Sequence, residues 1–501
     1  MCMSAITKSW RYAAGAAVAH LLCACTVGVD YVRQPPPIEA GYTMQDPSTT
    51  VADAGGNVQR FHMDAAISAE WWKMFHSEGL AEAVNRAFLN NASLQAAQAS
   101  LKESQHSLQA GYGVFFPQID GSFSATRQLP SAFRYGAASP AGIFNLFTLG
   151  AAISYTLDIF GGQRRAVEAL GAQADYQKYV ALATYLTLSG NVVNTAIARA
   201  AYNAQYEATQ ELIRRQEEQV AIAEKQADRG IASYATVLSL RSLLASSRAA
   251  LATVAQKRDQ ADHLLANLQG TTASGTYTSS FDLAELELPQ NLPLSLPSEL
   301  VRQRPDILSA EAQLHVASAE IGVATAALFP SFGIGANYAF GNTRFGNLTD
   351  SSSKFWSIGP SMDIPIFHGG ATWYKRSAAE DAYQQALASY RQTVLSAFEQ
   401  VANVLTAIEH DAQSMKAQAE ALGAAEQTLK LIEANYRAGL VSYLDVLAAD
   451  SQYYQSKIAY LQVSAQRYQD TTALFVALGG GWWNAPPPFV EQPASVQVGG
   501  K

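Results

Sequence analysis

The chain has 501 residues, of which only 15% are charged, and its formal net charge is −8. This length allows two or three domains, or one elongated repeat. The scarcity of Lys and Arg argues against a nucleic-acid partner, because no basic stripe is available to replace the counterions of a phosphate backbone.

The start of the chain has the pattern of an export signal. Lys8 and Arg11 precede a short Ala-rich apolar stretch, which predicts a secretory signal peptide over residues 1–24. The stretch ends in Leu-Cys-Ala-Cys, which resembles a lipobox, so Cys25 is predicted to carry lipid. Thr26 follows it, rather than an Asp, which favours sorting to the outer membrane. The alternative is an ordinary cleaved signal with an incidental cysteine.

All three cysteines lie in this first segment. The rest of the chain is therefore predicted to hold no disulfide, cysteine–metal site or cysteine nucleophile. One acyl anchor gives only modest membrane affinity, so a second means of insertion is expected. Residues 25–64 are rich in Pro, Gly and Thr and are predicted to form a lipid-anchored linker.

A helical pattern from Glu70 to Phe116 comes next, and four strand-like segments follow it in two pairs. In the strands, bulky apolar residues alternate with small polar ones, which fits either a half-buried soluble sheet or a membrane barrel. Each segment has about ten residues or more, the length that a tilted strand needs to cross a bilayer. The segments are 119–127, 143–159, 331–340 and 355–366.

Four strands are too few to enclose a pore. The smallest common membrane barrels have about eight strands, and an open sheet edge is not tolerated in lipid. If these strands cross a membrane, the barrel must be shared between several copies of the chain.

Two long segments without proline, 162–228 and 369–437, are predicted as helices of about 100 Å. In the second, apolar residues from Tyr383 to Ile408 step by four and three residues, which is a heptad seam with one extra step of four. A soluble coiled-coil stalk would show the same seam, but the strands argue against a simple stalk. No membrane-spanning helix is expected after Cys25.

The pattern of the chain occurs twice. Each half is predicted to contain a helix, two strands, a very long helix, a tight turn and a long helix. We expect the first repeat at 65–284, the second at 285–484 and a disordered tail at 485–501. The residues that recur at an offset of 209 are Gly230 and Gly439, Ser233 and Ser442, Tyr234 and Tyr443, Val237 and Val446, and Leu238 and Leu447.

The two tight turns carry the strongest local signal. Gly230 and Gly439 fit left-handed helix C-caps, while Ser233 and Ser442 fit the N-caps of the returning helices. Capping does not explain why both turns also carry apolar residues. Exposed apolar residues at the end of a hairpin suggest a docking surface.

No catalytic constellation is recognised. The histidines are scattered and lack the spacing of a metal motif. Gly479 to Gly481 follow a predicted helix, which is the context of a C-cap and turn rather than of a phosphate-binding loop. An enzyme is the least supported class, and no cofactor is expected besides the covalent lipid on Cys25.

The sequence resembles the TolC-like outer-membrane efflux channels, in their lipid-anchored NodT-type branch. Six blocks spread along the chain carry the resemblance, and the Arg-Pro-Asp-Ile run at 304–307 is especially specific beside the others. The resemblance implies an α+β membrane protein: a trimer with a 12-stranded outer-membrane β-barrel, four strands per chain, continuing into a 12-helix periplasmic α-barrel, with an internal two-fold repeat. The blocks are CTVGVDYVRQPP, WWKMFHSEGLAEAVNRAFLNNASLQAA, YTLDIFGGQRRAVEA, LVRQRPDILSAEAQL, PIFHGG and ALGGGW.

The resemblance also implies a function and partners. Such a homotrimer sits in outer-membrane lipid and passively exports drugs or other small molecules. It works with an RND-type inner-membrane pump and a periplasmic membrane-fusion adaptor, which would meet the two turns. The turn residues concerned are Arg229, Gly230, Ile231 and Ser233 in the first turn and Arg437, Gly439, Leu440 and Ser442 in the second.

A periplasmic gate is implied just beyond the second turn. There Leu444 matches a position that forms an apolar constriction in relatives. Some relatives carry a carboxylate and an Arg farther along this helix, where this chain has Ala448 and Ser451. The residues assigned to the gate by resemblance are Leu444, Tyr436, Arg437 and Asp445.

Two other functions stay open on the sequence alone. One is the outer-membrane duct of a type I protein-secretion system, against which the lipobox and residues 304–307 favour the efflux branch. The other is a lipid-anchored coiled-coil lipoprotein with a structural or adhesive role. Heptads on the helices combined with lipid-type alternation on the strands favour a channel over that stalk.

Overall fold

The computed structural model describes most of the chain between Thr26 and Asn484. The predicted signal peptide, Cys25 and the predicted tail at 485–501 lie outside the described residues, as does part of the predicted linker. The described ranges are 26–35, 41–43, 49–50, 58–63, 65–129, 142–231, 233–274 and 281–484.

Helices dominate the described residues, which form eight α-helices and six β-strands. Two helices of 67 residues and two of 35 residues make up most of the helical structure. The helices are α1 (Glu78–Asn90), α2 (Ala92–Gly111), α3 (Gly162–Asp228), α4 (Tyr234–Leu268), α5 (Pro297–Gln303), α6 (Pro305–Ala326), α7 (Ala371–Arg437) and α8 (Tyr443–Ala477), and the strands are β1 (Arg60–Met63), β2 (Gln118–Gln128), β3 (Phe144–Leu157), β4 (Asn291–Leu294), β5 (Ser331–Asn342) and β6 (Lys354–Asp363).

The chain divides into two compact units, each built from both halves of the sequence. Unit 1 contains the last third of the first helical stretch, all four long strands, most of α6 and the adjoining ends of α3 and α7. Unit 2 contains the remainder of the long helices and the small parallel sheet of β1 and β4. Unit 1 comprises Met1–Arg33, Lys102–Tyr176 and Ala310–Tyr390, and unit 2 comprises Gln34–Leu101, Gln177–Ser309 and Arg391–Lys501.

The sheet of unit 1 is antiparallel throughout, in the order β2-β3-β5-β6. Its register places apolar residues opposite one another: Ile119 faces Ile153, and Tyr338 faces Trp356. Because paired residues of neighbouring strands point to the same side, these rows form one apolar face. The opposite face carries mainly Ser, Thr, Gly, Asp and Asn side chains. The four predicted strand segments are therefore confirmed, with small shifts at their ends.

Most of both faces of this sheet is uncovered within the described residues. Every residue of β2 is exposed, and so is nearly every residue of β6. Trp356 is 70% exposed and Ile358 is 67% exposed. A contiguous apolar surface of this kind marks a place where lipid or another chain binds.

The main hydrophobic core lies in unit 2. Trp71 and Trp72 are almost fully buried in a short 3-10 helix. The ring of Trp71 stacks on Phe475 of α8 with centroids 5.4 Å apart. Phe88 of α1 stacks on Tyr185 of α3 with centroids 4.1 Å apart. The segment that precedes the strands thus packs on two of the long helices.

The predicted helical stretch from Glu70 to Phe116 is wrong in detail, because the structure divides it into a 3-10 helix, α1, α2 and a second 3-10 turn. The break falls at Asn91, whose backbone is extended. Its side-chain Oδ1 accepts a hydrogen bond from Leu94 N at 3.0 Å, and its Nδ2 donates to Leu268 O at 2.9 Å. An Asn that caps the next helix favours such a break over a continuous helix.

The long helices have matched lengths in the two halves. Both ends of α7 lie 209 residues after the ends of α3, and the same offset relates α8 to α4. Helix α8 runs antiparallel along α3: Tyr443 Oη donates to Glu218 Oε2 at 3.3 Å, and Gln462 Nε2 donates to Gln205 Oε1 at 3.3 Å. At the contacts between the two helices, residue numbers therefore increase along α8 as they decrease along α3.

Five of the eight residues of the predicted heptad seam of α7 are buried. Tyr390, Val394, Val401, Leu405 and Ile408 are each less than a tenth exposed. The step of three and four residues keeps these side chains on one side of the helix. The seam is therefore the packing face of α7.

Two described helices have the length and apolar composition to cross a membrane, contrary to the sequence-based expectation. They are α3 and α4, whose most apolar windows of 18 residues have a mean hydropathy of 1.2. Half of the window in α3 is buried, so that a core role also accounts for its composition. Two such helices are weak evidence for membrane helices.

Candidate docking tips and gate

The first turn is a helix C-terminal motif built on Gly230. Its φ of +69° lies in the left-handed region, where glycine has no steric penalty. Gly230 N donates to Ala227 O and Ile231 N donates to Gln226 O, both at 2.9 Å. This pair of bonds is the Schellman motif, which satisfies the last carbonyl groups of α3.

The second turn repeats the motif at Gly439, with φ of +78°. Gly439 N donates to Tyr436 O and Leu440 N donates to Asn435 O, again at 2.9 Å. The expected left-handed C-caps are thus present in both turns. Two turns of the same geometry therefore end α3 and α7.

The returning helices α4 and α8 begin at the predicted serines but are capped differently. Ser233 Oγ accepts a hydrogen bond from Ala235 N at 3.2 Å. Ser442 forms a full capping box, because Asp445 Oδ2 accepts from Ser442 N at 2.8 Å while Ser442 Oγ accepts from Asp445 N. Ser442 Oγ also donates to Asp445 Oδ2 at 2.6 Å, and this bond, with the one from Ser442 N, holds the pKa of the Asp445 carboxyl below its usual value.

The two turns, after Asp228 and after Arg437, are here called the tips. Each tip exposes an apolar side chain. Ile231 is 71% exposed and Leu440 is 73% exposed. Each of these residues directly follows the glycine in the left-handed conformation. The side chain of a residue at that position usually packs back on the helix. Here these side chains face away from the protein, so each tip presents one uncovered aliphatic group.

The residues assigned to the gate have separate surroundings within one chain. The rings of Tyr436 and Tyr443 lie 5.4 Å apart. Arg437 Nη2 lies 3.7 Å from Glu433 Oε2 on its own helix. Asp445 is engaged in the capping box, and Leu444 is half-buried. The described residues of one chain thus show no network that joins the four.

A partly buried ion pair near the residues assigned to the gate was missed by sequence reasoning. Asp450 of α8 is only 6% exposed, and its Oδ2 lies 2.6 Å from Arg215 Nε of α3. Glu211 lies 3.1 Å from the same Arg215 nitrogen. Burial raises the pKa of the Asp450 carboxyl, and the Arg215 charge opposes that shift. No local signal pairs residues so distant in sequence.

A second acidic group lies farther along the same helices. Asp411 of α7 interacts with Asp470 of α8, near the fully buried Arg467. Burial, together with hydrogen bonding to Asp470, raises the pKa of Asp411 from 3.8 to about 7. Gln466 Nε2 donates to Asp470 Oδ2 at 2.7 Å. The carboxyl of Asp411 therefore stays protonated to a higher pH than that of an ordinary aspartate.

These features define a class of protein. A sheet with one uncovered apolar face and four very long paired helices is the architecture of outer-membrane channels that combine a β-barrel with an α-barrel. A family model described as outer membrane efflux protein matches residues 83–271 and 296–480. The chain belongs to the outer membrane efflux protein family, which confirms the resemblance found in the sequence.

Known proteins support this assignment over nearly the whole chain. Cation efflux system protein CusC of Escherichia coli O6:H1 is 27% identical over 93% of this chain and 97% of its own. The probable outer membrane lipoprotein SilC of Salmonella typhimurium is 27% identical over 92% of this chain and 97% of its own. The outer-membrane channel OprN has a solved structure with a TM-score of 0.79, 25% identity and coverage of 91% and 100%. The chain is an outer-membrane channel for efflux.

Proposed function

We propose that three copies of this chain form the exit duct of a tripartite efflux pump, with a 12-stranded barrel, a 12-helix tunnel and a two-fold repeat within each chain. The single observation that carries the proposal is the four-stranded sheet with an apolar face and two edges that are unpaired among the described residues. The sequence repeat at an offset of 209 supports the two-fold repeat.

The sheet edges argue for sharing of strands between chains. β2 and β6 each have one neighbour in the sheet. In lipid an unpaired edge leaves backbone groups without hydrogen-bond partners, so β6 of one copy should pair with β2 of the next. Each strand has between 10 and 14 residues, which suffices to cross the bilayer when tilted. The lumen would be lined by the polar face.

The tips are proposed to bind a periplasmic adaptor. Their support is the exposed Ile231 and Leu440, each held by a rigid Schellman turn. Arg229 and Arg437 flank these aliphatic groups in the sequence and would add charge to the same surface. An inner-membrane pump of the RND type would supply energy, while export through the duct itself is passive.

Closure of the duct is assigned to Leu444, with Tyr436, Arg437 and Asp445 beside it. A ring of three half-buried leucines would form an apolar constriction. Asp445 would act there mainly by fixing the start of α8, since its oxygens bond Ser442. The buried pair of Arg215 and Asp450 would hold α8 against α3 behind the constriction.

Lipid on Cys25 is proposed as the second attachment to the membrane. The lipobox pattern supports it, as does the lipoprotein description of SilC. No particular cargo is assigned, because the substrate choice of a passive duct belongs to the pump. The name of CusC gives cations as its cargo, and that cargo is stated here for CusC and not for this chain.

Single-channel recording tests this function directly. The detergent-extracted protein is added to a planar bilayer, and its oligomer mass is measured in parallel. We expect trimers and small, discrete openings that prefer cations. A monomer that binds membranes without conductance would exclude the barrel and favour a lipid-anchored stalk.

A further inference from the structure

The charged residues of the four long strands are separated by sign. These strands contain four charged residues, Asp120 and Arg127 in β2 and Lys354 and Asp363 in β6. The two acidic residues lie near the strand ends that adjoin the helices, because β2 follows α2 and β6 precedes α7. The two basic residues lie near the opposite ends, next to the loops. The charge of the sheet therefore changes sign from one end to the other.

The register assigns both basic residues to the apolar face of the sheet. Arg127 follows Ile119 of that face by eight residues, an even number, so their side chains point to the same side. Lys354 is opposite Phe340 of β5, and Phe340 is opposite Leu149 of β3. Paired residues share a side of the sheet. The basic side chains therefore belong to the face that is proposed to contact lipid.

The positions of the basic residues match the outer limit of the lipid-facing band. Arg127 lies eight residues from Ile119, and Lys354 lies eight residues from Met362. Eight residues of strand rise about 26 Å, which a tilt of about 40° reduces to about 20 Å across the membrane. The apolar band of membrane barrels is about 25 Å tall, and a Lys or Arg on its lipid face is costly only away from the interface.

A third basic residue reaches the same limit through an aromatic contact. The ring centroid of Phe345, in the loop after β5, lies 5.6 Å from that of Phe147 and 6.3 Å from that of Phe123. Both partner rings belong to the apolar face, so the loop folds onto this face. Arg344 directly precedes Phe345, and its backbone N donates to Asn342 Oδ1 at 3.0 Å. Aromatic rings beside basic residues are typical of a membrane–water interface.

These basic side chains are available to an outside anion. Arg127, Arg344 and Lys354 are all exposed. Within the described residues, the ion pairs of unit 1 involve other side chains. With Asp350, the acidic residue of the same loop, this part of the described chain keeps an excess of positive charge. Phosphate is the lipid group that guanidinium and ammonium bind best.

We propose that Arg127, Arg344 and Lys354 form a binding site for the phosphate groups of lipid A, the phosphorylated lipid of the outer leaflet. The inference rests on the proposed barrel, in which the helices lie in the periplasm and the loops outside. Charge complementarity carries it, because the basic residues lie on the lipid face at the outer end only. Lipid of the inner leaflet would meet the other end, where the charged residues of the strands are Asp120 and Asp363.

Binding of lipid A to the purified protein tests the site. Synthetic bisphosphorylated lipid A is titrated into the full-length protein in detergent, and native mass spectrometry counts the lipids bound at each oligomer mass. Arg127→Gln combined with Lys354→Gln removes two positive charges and leaves the apolar face intact. We expect its apparent Kd to rise about 25-fold, since each basic residue near a charged membrane surface contributes a factor of about five.

Matched variants separate charge from folding. Arg127→Lys combined with Lys354→Arg keeps both charges and should bind with an affinity close to that of the wild type. Lys102→Gln removes an exposed charge from α2 and should have no effect. If the double glutamine variant fails to fold, Arg344→Gln in the loop replaces it, with an expected rise of about fivefold. Dephosphorylated lipid A should bind the wild type weakly.

The outcomes separate this site from the proposed duct. Equal affinity of the wild type and the charge-removing variants would overturn the site, and so would equal affinity for lipid A and phosphatidylglycerol. A monomer without conductance would reject the barrel, but the same titration of that monomer still measures phosphate binding by these residues. Weaker binding by the variants would support the site in either oligomeric state.

Discussion

Two carboxylates on α8, five residues apart, have opposite surroundings. Asp445 is exposed and its pKa is lowered by bonds from Ser442, while Asp450 is buried and its pKa is raised. The first group stabilises the start of a helix in its charged form. The second, Asp450, is kept charged by the ion pair with Arg215. Its pKa therefore depends on how closely α8 lies against α3.

Leu444 should limit leak through the closed duct. Leu444→Ser shortens the side chain and adds a polar group at the proposed constriction, so the resting conductance in planar bilayers should rise several-fold. Leu431→Ser changes an exposed leucine of α7 and should leave the conductance unchanged. A resting conductance of Leu444→Ser equal to that of the wild type would remove Leu444 from the gate.

Asp411 should make stability depend on pH. Its folded pKa of about 7 exceeds the ordinary value of 3.8, so between these values the unfolded chain releases a proton that the folded chain keeps. The free energy of unfolding therefore falls as pH rises from about 4 to about 7 and is level above that. Asp411→Asn removes this contribution.

The measurement is the unfolding temperature of the trimer in detergent at several pH values. The difference between Asp411→Asn and the wild type should grow in favour of the variant from pH 4 to pH 7. The exposed Asp228→Asn serves as the control. A difference independent of pH would contradict the raised pKa.

At the scale of elements, the two turns share a C-terminal motif and differ in the helix start that follows. Thr236 occupies the position in α4 that Asp445 occupies in α8, and only the second turn has a capping box. Because the same offset of 209 residues relates α4 to α8, the starts of the two helices can be compared residue by residue.

Removal of the two caps should have unequal effects. Ser442→Ala removes two bonds of the Ser442 hydroxyl, one accepted from Asp445 N and one donated to Asp445 Oδ2, whereas Ser233→Ala removes one, and a single cap is worth about 1 kcal/mol. Hydrogen–deuterium exchange should therefore rise more in the first turn of α8 than in the first turn of α4. Equal increases would show that the box adds nothing to a simple cap.

Gly439→Pro should abolish efflux and leave the trimer intact. Proline cannot adopt φ of +78° and lacks the N–H that bonds Tyr436 O. Efflux assays and the oligomer mass are the two measurements. Gly346→Ala, in the loop after β5 with no neighbouring atom in contact range, is the control. Loss of the trimer would mean that the turn is a folding element.

Signals confined to neighbouring residues were predictable from the sequence. The alternation of β3 and β6, the glycines at positive φ and the capping serines each follow from a period or a backbone requirement. The break at Asn91 was not predicted, because the apolar period continues across it while one side chain terminates the helix. Pairs such as Arg215 with Asp450 require the folded chain to bring them together.

At the scale of the whole molecule, the channel would be held in the membrane twice, by strands and by lipid. Cys25→Ser should remove labelling by palmitate while leaving the chain in the outer membrane through its strands. Labelling and membrane fractionation are the measurements. Label that persists in the variant would refute the lipobox, and a variant found only in soluble fractions would show that the strands do not insert unaided.

The equal lengths of α3 and α7 restrict how this channel can evolve. One inserted residue in a helix advances its end by about 1.5 Å and turns it by about 100°, so an insertion in α3 alone would rotate Ile231 out of register and leave Leu440 where it is. Tolerated insertions and deletions should therefore come in pairs, one in each half, and in multiples of about seven residues that preserve the seam. Single-residue indels in these helices should be far more damaging than substitutions at the same positions.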